Sequence, residues 1–152
     1  MFISELNPKQ MTEEQKQWFA LALCEGVMLQ EDISTEKIED LQKILSLLTS
    51  EEQVNTLIQR VKEKNLPPSH DLEIASRKLQ SLMLIELTTL IAKDHHLGIE
   101  EMQYLFRIGK KLGFAKGFVQ TLIRWEKEGI LWQKKIAYLL QSESTLEEHD
   151  LS

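Results

Sequence analysis

Residues 94 to 101 are the one stretch of this sequence with a candidate chemical signature, and they read Asp-His-His-Leu-Gly-Ile-Glu-Glu. Asp94 and Glu101 stand seven residues apart, so their carboxylates can converge if the stretch is a bend between two helices. Together with His95 and His96 they offer the mixed oxygen and imidazole ligands that bind divalent cations. The sequence therefore contains a candidate metal site at Asp94, His95, His96 and Glu101.

The same residues also have a purely structural interpretation. An Asp at a helix end readily accepts hydrogen bonds from loop amides. Glu101 lies three residues after Gly98, where its carboxylate can reach back to the cap of the next helix. Leu97 would then anchor the bend in the core, with Gly98 beside it. In this interpretation the two acids lock a loop and bind no metal.

Signatures of catalysis are missing from the sequence. It contains no Ser-His-Asp or Cys-His arrangement, no glycine-rich phosphate cradle and no helical His-Glu pair of the metal-hydrolase kind. Cys24 is the single cysteine and lies in an apolar stretch, which predicts a buried thiol rather than a nucleophile. We therefore expect a protein that acts by binding, with a metal-dependent enzyme of unknown reaction as an alternative.

The elements that position the 94–101 loop are predicted to be helices. Only six Gly and three Pro interrupt the 152 residues, while good helix formers are plentiful. Capping signals and apolar stripes predict seven helices. The first lies near residues 12–29, the second follows a cap at Ser34 or Thr35, the third follows a box at Thr49, and the fourth runs from Asp71 to about residue 93. The fifth follows the loop, and the last two lie near residues 115–128 and 130–141.

The sequence also repeats itself. The stretch from Trp18 to Leu48 aligns with the stretch from Leu82 to Leu112 without a gap, and Leu41 then meets Leu105. Both copies read as helix, loop, helix, so the repeat unit is a helical hairpin. We therefore expect an all-α fold in which two duplicated hairpins share one core. The predicted boundaries are a single domain at 12–141 and flexible termini at 1–11 and 142–152.

An acidic loop within a duplicated helical hairpin resembles the TerB-like family of bacterial tellurite-resistance and stress proteins. The hallmark of that family is Asp-Gly-x-(apolar)-x-x-x-Glu. Asp94, Leu97 and Glu101 match its Asp, its apolar position and its Glu, and His95 replaces its Gly. The resemblance extends from about Trp18 to Ile123.

The first copy departs further from the pattern, because Gln30 and Lys37 stand where the carboxylates would be, although Ile33 keeps the apolar position. What the resemblance implies is an all-helical fold and a non-catalytic, stress-associated interaction or regulatory module inside the cell. The start of the chain shows no secretory signal, and the most apolar window, residues 79–92, is too short to cross a bilayer. We therefore expect a cytoplasmic protein without membrane insertion.

Charge is distributed unevenly along the chain. Residues 1–106 carry a net charge of −8, residues 107–135 carry +6, and residues 136–152 carry −4. The pI near 5.3 argues against a nucleic-acid ligand, so we expect these basic residues to form solvated helix faces, which could orient an acidic partner or a second copy of the chain. Trp125, Trp132 and Tyr138 could supply the contact in a homo-oligomer. The candidate interaction face comprises Lys110, Lys111, Arg124, Lys127, Lys134 and Lys135.

Overall fold

The computed structural model describes residues 6–67, 71–93 and 97–129. Within these ranges the regular structure consists of six α-helices and one short 3₁₀ helix, with no β-strand. The predicted all-α class is confirmed. The chain divides into two compact units, residues 1–73 (unit 1) and 74–152 (unit 2), and each described unit contains three of the helices.

Unit 1 begins with the 3₁₀ helix Pro8–Gln10, followed by α1 (Glu13–Met28), α2 (Thr35–Leu48) and α3 (Glu51–Lys62). Each α-helix starts at a hydroxyl that accepts from the backbone amide three residues later, since such an amide has no partner within the helix. Thr12 forms the predicted capping box with Gln15. The cap of α2 is Ser34, and the cap of α3 is Ser50 rather than Thr49.

The core of unit 1 forms where the three helices face one another. The side chains of Leu23, Leu41 and Val61, one from each helix, are completely excluded from solvent. Leu6 and Met11 are also buried. The packed part of the unit therefore begins before residue 12, where the sequence places the start of the domain.

Unit 2 contains α4 (Arg77–Ala92), α5 (Ile99–Lys111) and α6 (Lys116–Lys127). The predicted start of α4 at Asp71 is wrong, because the cap is Ser76, whose Oγ accepts from the Leu79 amide at 3.2 Å. Residues 71–76 before the helix have no regular secondary structure, and the Gln80 side chain donates to the Ile74 carbonyl there. From Ser81 to Thr88 every residue of α4 is buried.

Glycines decide how α5 ends and how closely it approaches α6. Gly113 has φ +91°, and the amides of Gly113 and Phe114 donate to the Lys110 and Gly109 carbonyls, which is the Schellman arrangement. Gly129 ends α6 with φ +74°. Both left-handed caps are as predicted. Inside α5, a Cβ on Gly109 would lie 2.5 Å from Val119 Cγ2, so only glycine lets the two helices pack at this distance.

The two units have the same order of helices with nearly the same lengths, 16, 14 and 12 residues in unit 1 and 16, 13 and 12 in unit 2. The predicted seventh helix at 130–141 and the predicted flexible terminus at 142–152 lie outside the described residues. The single core shared by both halves stays a prediction.

Candidate functional site

The loop between α4 and α5 contains the residues that the sequence singles out. Glu101 is the third residue of α5 and is buried, with 6% of its surface exposed. Its Oε1 accepts a hydrogen bond from the Gly98 amide at 3.1 Å. This amide precedes the helix and would otherwise lack an acceptor, and the negative charge is favoured at the positive end of the helix dipole. Glu101 therefore performs the capping role that the structural interpretation predicts.

Gly98 and Leu97 complete the described part of this loop. Gly98 is the N-cap of α5 with φ −76°, a conformation open to any residue, so it is not there for backbone freedom. Because it has no side chain, only the Glu101 half of a capping box can form. Leu97 is half-buried, which is less than the core anchor that the sequence predicts.

Asp94, His95 and His96 lie outside the described residues, so the structure does not test whether they converge on Glu101. Among the residues that the structure describes, no group of three or more His, Cys, Asp or Glu side chains is arranged to hold a metal ion. Cation binding at Asp94, His95, His96 and Glu101 stays a prediction. The hydrogen bond of Glu101 Oε1 is explained without a metal.

The charged residues of α5 and α6 form the second candidate site. From Met102 to Trp125 the sequence contains five basic residues and no acidic residue. Arg107 is exposed on α5, and the other exposed cations of the pair fall at its two ends. We call them together the basic surface: Lys110, Lys111 and Lys116 at the turn between α5 and α6, and Arg124 and Lys127 at the end of α6. Lys134 and Lys135, which the sequence adds to this face, lie outside the described residues.

Aromatic rings position the cations at and near this turn. Lys116 Nζ lies 5.0 Å from the centroid of the Phe106 ring, and the Arg107 guanidinium lies 5.1 Å from that of Tyr104. A cation over a ring face is attracted by the ring quadrupole while it stays accessible to water. The side chain of Lys116 is therefore directed by α5 although it belongs to α6.

The turn itself is held by Arg77 at the start of α4. The Arg77 guanidinium stacks 3.8 Å from the centroid of Phe114, and its NH1 donates to the Gly113 carbonyl at 3.0 Å. Phe114 in turn stacks on Phe118, with ring centroids 4.9 Å apart and planes at 19°. Because α4 fixes the turn between α5 and α6, the cations on that turn are presented from a rigid base.

A groove of about 430 Å³ lies between α5 and α6, at the opposite end of the pair from that turn. Met102 and Ile123 contribute its apolar surface, and Arg124 and Lys127 of the basic surface form part of its wall. Gln120 and Glu128 complete the lining. Sequence reasoning missed this groove, because the positions of Met102 and Ile123 read simply as core positions of two helical stripes.

Unit 1 has a cavity of about 370 Å³ at the loop between α1 and α2. This loop corresponds to the loop between α4 and α5 in unit 2. The lining of the cavity includes Glu31 and Asp32 together with Lys62 and Lys64, so its wall carries both signs of charge. Lys64 Nζ donates to the Gln30 carbonyl at 2.6 Å, which ties the end of α3 to this loop. Gln30 and Lys37 replace the two acids of the motif here, and Ile33 is half-buried.

Cys24 is completely buried in α1, as the sequence predicts. Burial raises the pKa of its thiol to about 12, because the thiolate would lose its hydration. At neutral pH the sulfur is therefore protonated and inaccessible, so it is neither a nucleophile nor a metal ligand.

Comparison with known proteins gives no relative: no protein-family model, no curated protein and no solved structure matches the chain. The TerB-like resemblance is therefore neither supported nor opposed by these comparisons. Among the helices of the described ranges, none combines the length and apolar character needed to span a membrane.

Proposed function

We propose that the protein is a non-catalytic binding module of the TerB-like type, and that it binds an acidic protein partner on the basic surface of unit 2. The observation that carries the proposal is the charge pattern of α5 and α6, in which five cations and no anion lie between Met102 and Trp125. The rest of the chain is acidic, with a net charge of −6 for the whole. Such a local excess of one sign steers a partner of the opposite sign and sets its orientation.

The positioning of these cations supports binding to a protein more than simple solvation. Lys116 lies over the Phe106 ring, and the turn that carries it is clamped by the stacking of Arg77 on Phe114. A surface whose charged groups are already placed loses less side-chain entropy when a partner binds. Trp125, half-buried near the end of α6, adds the kind of amphipathic ring that is enriched at interfaces.

The repeated helix order of the two units also supports the TerB-like part of the proposal. Helix order and helix length repeat between the two units, at an offset of 64 residues from α1 to α4. This agreement supports an origin by duplication of a helical unit, as the sequence repeat suggests. The association with stress, tellurite and the cytoplasm rests on the resemblance alone and is part of the proposal.

The experiment compares two charge-reversed triple variants in co-purification from a lysate of the native cells. The variant Lys110→Glu, Lys111→Glu, Arg124→Glu reverses three of the five charges of the basic surface. The matched control Lys43→Glu, Arg60→Glu, Lys62→Glu makes the same change of charge at exposed positions of unit 1. We expect the first variant to lose a reproducible acidic partner that the wild type and the control both recover.

Two outcomes would refute the proposal. One is that no protein is recovered above background by the wild type. The other is that the recovered protein is retained equally by the first variant, because its binding then does not use the basic surface. Circular dichroism of both variants checks that the helices are intact before the comparison is made.

A further inference from the structure

A row of apolar side chains on α5 reaches the surface of unit 2. Ile99, Met102 and Phe106 are three and four residues apart, so they lie on one face of the helix. Ile99 has 75% of its surface exposed, and Met102 and Phe106 are half-buried. We call these three residues the apolar stripe. Exposed apolar residues that share one helix face form a continuous patch, which is typical of a surface that binds another protein.

Helix α6 borders this stripe. Met102 lines the groove of about 430 Å³ together with Gln120 and Ile123 of α6. One turn further along α5, the Phe106 ring lies 5.0 Å from Lys116 Nζ, which also belongs to α6. The groove and the stripe therefore follow one line, along which α5 meets α6. Met102 and Ile123 make the middle of that line apolar.

Cations of the basic surface lie at both ends of the line. Lys110 follows the stripe on the same face of α5, and Lys116 lies at that end too. Arg124 and Lys127 line the groove at the other end, where Glu128 leaves a net positive charge. The 12 residues from Lys116 to Lys127 are about 18 Å long. A complementary ligand therefore has acids at its two ends and apolar groups between them.

The surface also selects the conformation of such a ligand. Within α5 and α6 the backbone amides and carbonyls pair along the helices, so the line offers a ligand side chains only. An extended peptide would gain no backbone hydrogen bonds there, whereas a helix satisfies its own backbone. A helix also presents apolar side chains at intervals of three and four residues, which match the spacing of the apolar stripe.

We propose that the line between α5 and α6 binds an amphipathic helix of a partner protein. The apolar face of that helix packs on the apolar stripe and Ile123. Its Asp or Glu residues, about three turns apart, pair with Lys110 and Lys116 at one end and with Arg124 and Lys127 at the other. The inference rests on the proposed function, since it names the kind of segment by which the acidic partner binds.

Two substitutions at exposed apolar positions test the packing without changing any charge. Ile99→Gln shortens the apolar stripe. Leu47→Gln removes the exposed apolar side chain of α2 in unit 1 and is the matched control, because 48% of the surface of Leu47 is exposed. Both side chains are largely outside the core, so both variants should keep the wild-type circular dichroism spectrum.

The probe is a peptide selected from a random 18-residue library against the full chain. We expect selected sequences with apolar residues at helical spacing and with acids near both ends. Fluorescence anisotropy of the labelled peptide should show about tenfold weaker binding to Ile99→Gln, because the peptide buries that isoleucine. Binding to Leu47→Gln should equal that of the wild type. The peptide should gain helical circular dichroism when it binds, and a central proline should abolish its binding.

Three results would overturn the inference. One is a selection that yields no peptide whose binding depends on Ile99. Another is a bound peptide that gains no helix. The third is self-association of the wild type, seen by light scattering, that Ile99→Gln abolishes, because the stripe then binds a second copy of the chain.

Co-purification with the same variants separates this inference from the proposed function. A partner that Ile99→Gln retains and the charge-reversed triple variant loses would leave the proposed function standing and refute the helix on the apolar stripe. A partner that the triple variant retains would refute the proposed function, whatever the peptide does. A partner that both variants lose and Leu47→Gln retains is the result expected if both hold.

Discussion

The second helix of each unit begins in a different way. In unit 1 the cap residue supplies the acceptor, since Ser34 Oγ accepts from the Lys37 amide at 3.1 Å. In unit 2 the cap Gly98 has no side chain, and Glu101, the residue corresponding to Lys37, accepts from the Gly98 amide at 3.1 Å. An unpaired amide at a helix start can thus find its acceptor on the cap residue or on the residue three positions later. The carboxylate of Glu101 is therefore explained by its capping role, which replaces that of the cap side chain in unit 1, without a metal.

The units also hold their turns by different residues. In unit 1 a lysine at the end of the third helix, Lys64, ties down the first loop through the Gln30 carbonyl. In unit 2 an arginine at the start of the first helix, Arg77, ties down the second loop through Phe114 and the Gly113 carbonyl. The two units have the same helix order, but side-chain contacts hold the first loop in unit 1 and the second loop in unit 2. Only in unit 2 does the loop held in this way carry part of the basic surface.

The largest effect of a substitution on the unfolding free energy is expected where α5 approaches α6. Leu45, completely buried in α2, corresponds to Gly109 of α5. Gly109→Leu should lower the free energy of unfolding by about 3 kcal/mol, because even one added carbon meets Val119. Gly109→Ala should have a smaller effect, since better helix propensity offsets part of the clash by about 1 kcal/mol. Urea unfolding followed by circular dichroism measures both.

The exposed neighbour provides the control for that pair. Lys110→Leu should change the free energy of unfolding by less than about 0.5 kcal/mol. A urea midpoint of Gly109→Leu equal to that of the wild type would contradict the close packing of α5 on α6.

The left-handed caps of unit 2 separate backbone strain from a side-chain contact. Gly113→Ala forces alanine to φ +91° and brings its Cβ to 3.0 Å from Arg77 NH1. We expect a loss of about 2 kcal/mol in unfolding free energy. Gly129→Ala is strained at φ +74° but meets nothing within 4 Å, so its loss should be nearer about 1 kcal/mol. Equal losses would show that the Arg77 contact contributes nothing.

The two helix starts can be compared by deleting each acceptor. Ser34→Ala and Glu101→Ala should each lower the unfolding free energy by about 1 kcal/mol, because each leaves an amide without its acceptor. Glu101→Gln keeps an oxygen for the Gly98 amide and should lie much closer to the wild type in thermal unfolding.

The same variants distinguish capping from cation binding. Calorimetric titration with calcium, manganese and zinc should give no heat that depends on Glu101 if the residue only caps the helix. Stoichiometric heat that is present in the wild type and lost in both Asp94→Ala and Glu101→Gln would instead establish the metal site.

A smaller effect is expected at the ends of the third helices, where Lys64 and Gly129 each lie two residues past the last residue of the helix. Lys64 has φ +55°, which is strained for a residue with a side chain. Lys64→Ala and Lys64→Gly both lose the hydrogen bond to Gln30, but only glycine relieves the strain. The glycine variant should therefore be more stable than the alanine variant by about 1 kcal/mol in urea unfolding. An alanine variant that is the more stable of the two would contradict this account.

The smallest effect at neutral pH concerns Cys24, which corresponds to the buried Thr88 of unit 2. Because burial raises the pKa of the Cys24 thiol from 9.0 to about 12, the unfolded chain loses this proton first as pH rises. Stability from this group is present below pH 9 and is lost between pH 9 and 12. Between pH 9 and pH 12 the unfolding free energy of the wild type should fall more than that of Cys24→Thr. Urea unfolding of both proteins at the two pH values measures this difference.

Reaction with a thiol reagent gives an independent check on the same residue. The native protein should react only at the rate of unfolding, and denaturant should release one thiol. Fast reaction of the native protein at pH 8 would show that Cys24 is accessible.

The sequence by itself determined most of the helical framework. Capping signals at Thr12 and Ser34 and the glycines at 113 and 129 predicted helix ends correctly, because these signals act through neighbouring backbone groups and need no tertiary contact. The burial of Cys24 was predictable for a related reason, since it lies in an apolar stretch of the sequence. The local role of Glu101 followed from its spacing to Gly98.

Only the tertiary structure decided the features that depend on distant parts of the chain. The start of α4 moved from Asp71 to Ser76, because either residue can cap a helix and packing selects between them. The stacking of Arg77 on Phe114, the need for glycine at 109 and the groove beside α6 each join residues from different helices. Spacing along one helix cannot specify such contacts, since they depend on the angle and distance at which helices pack.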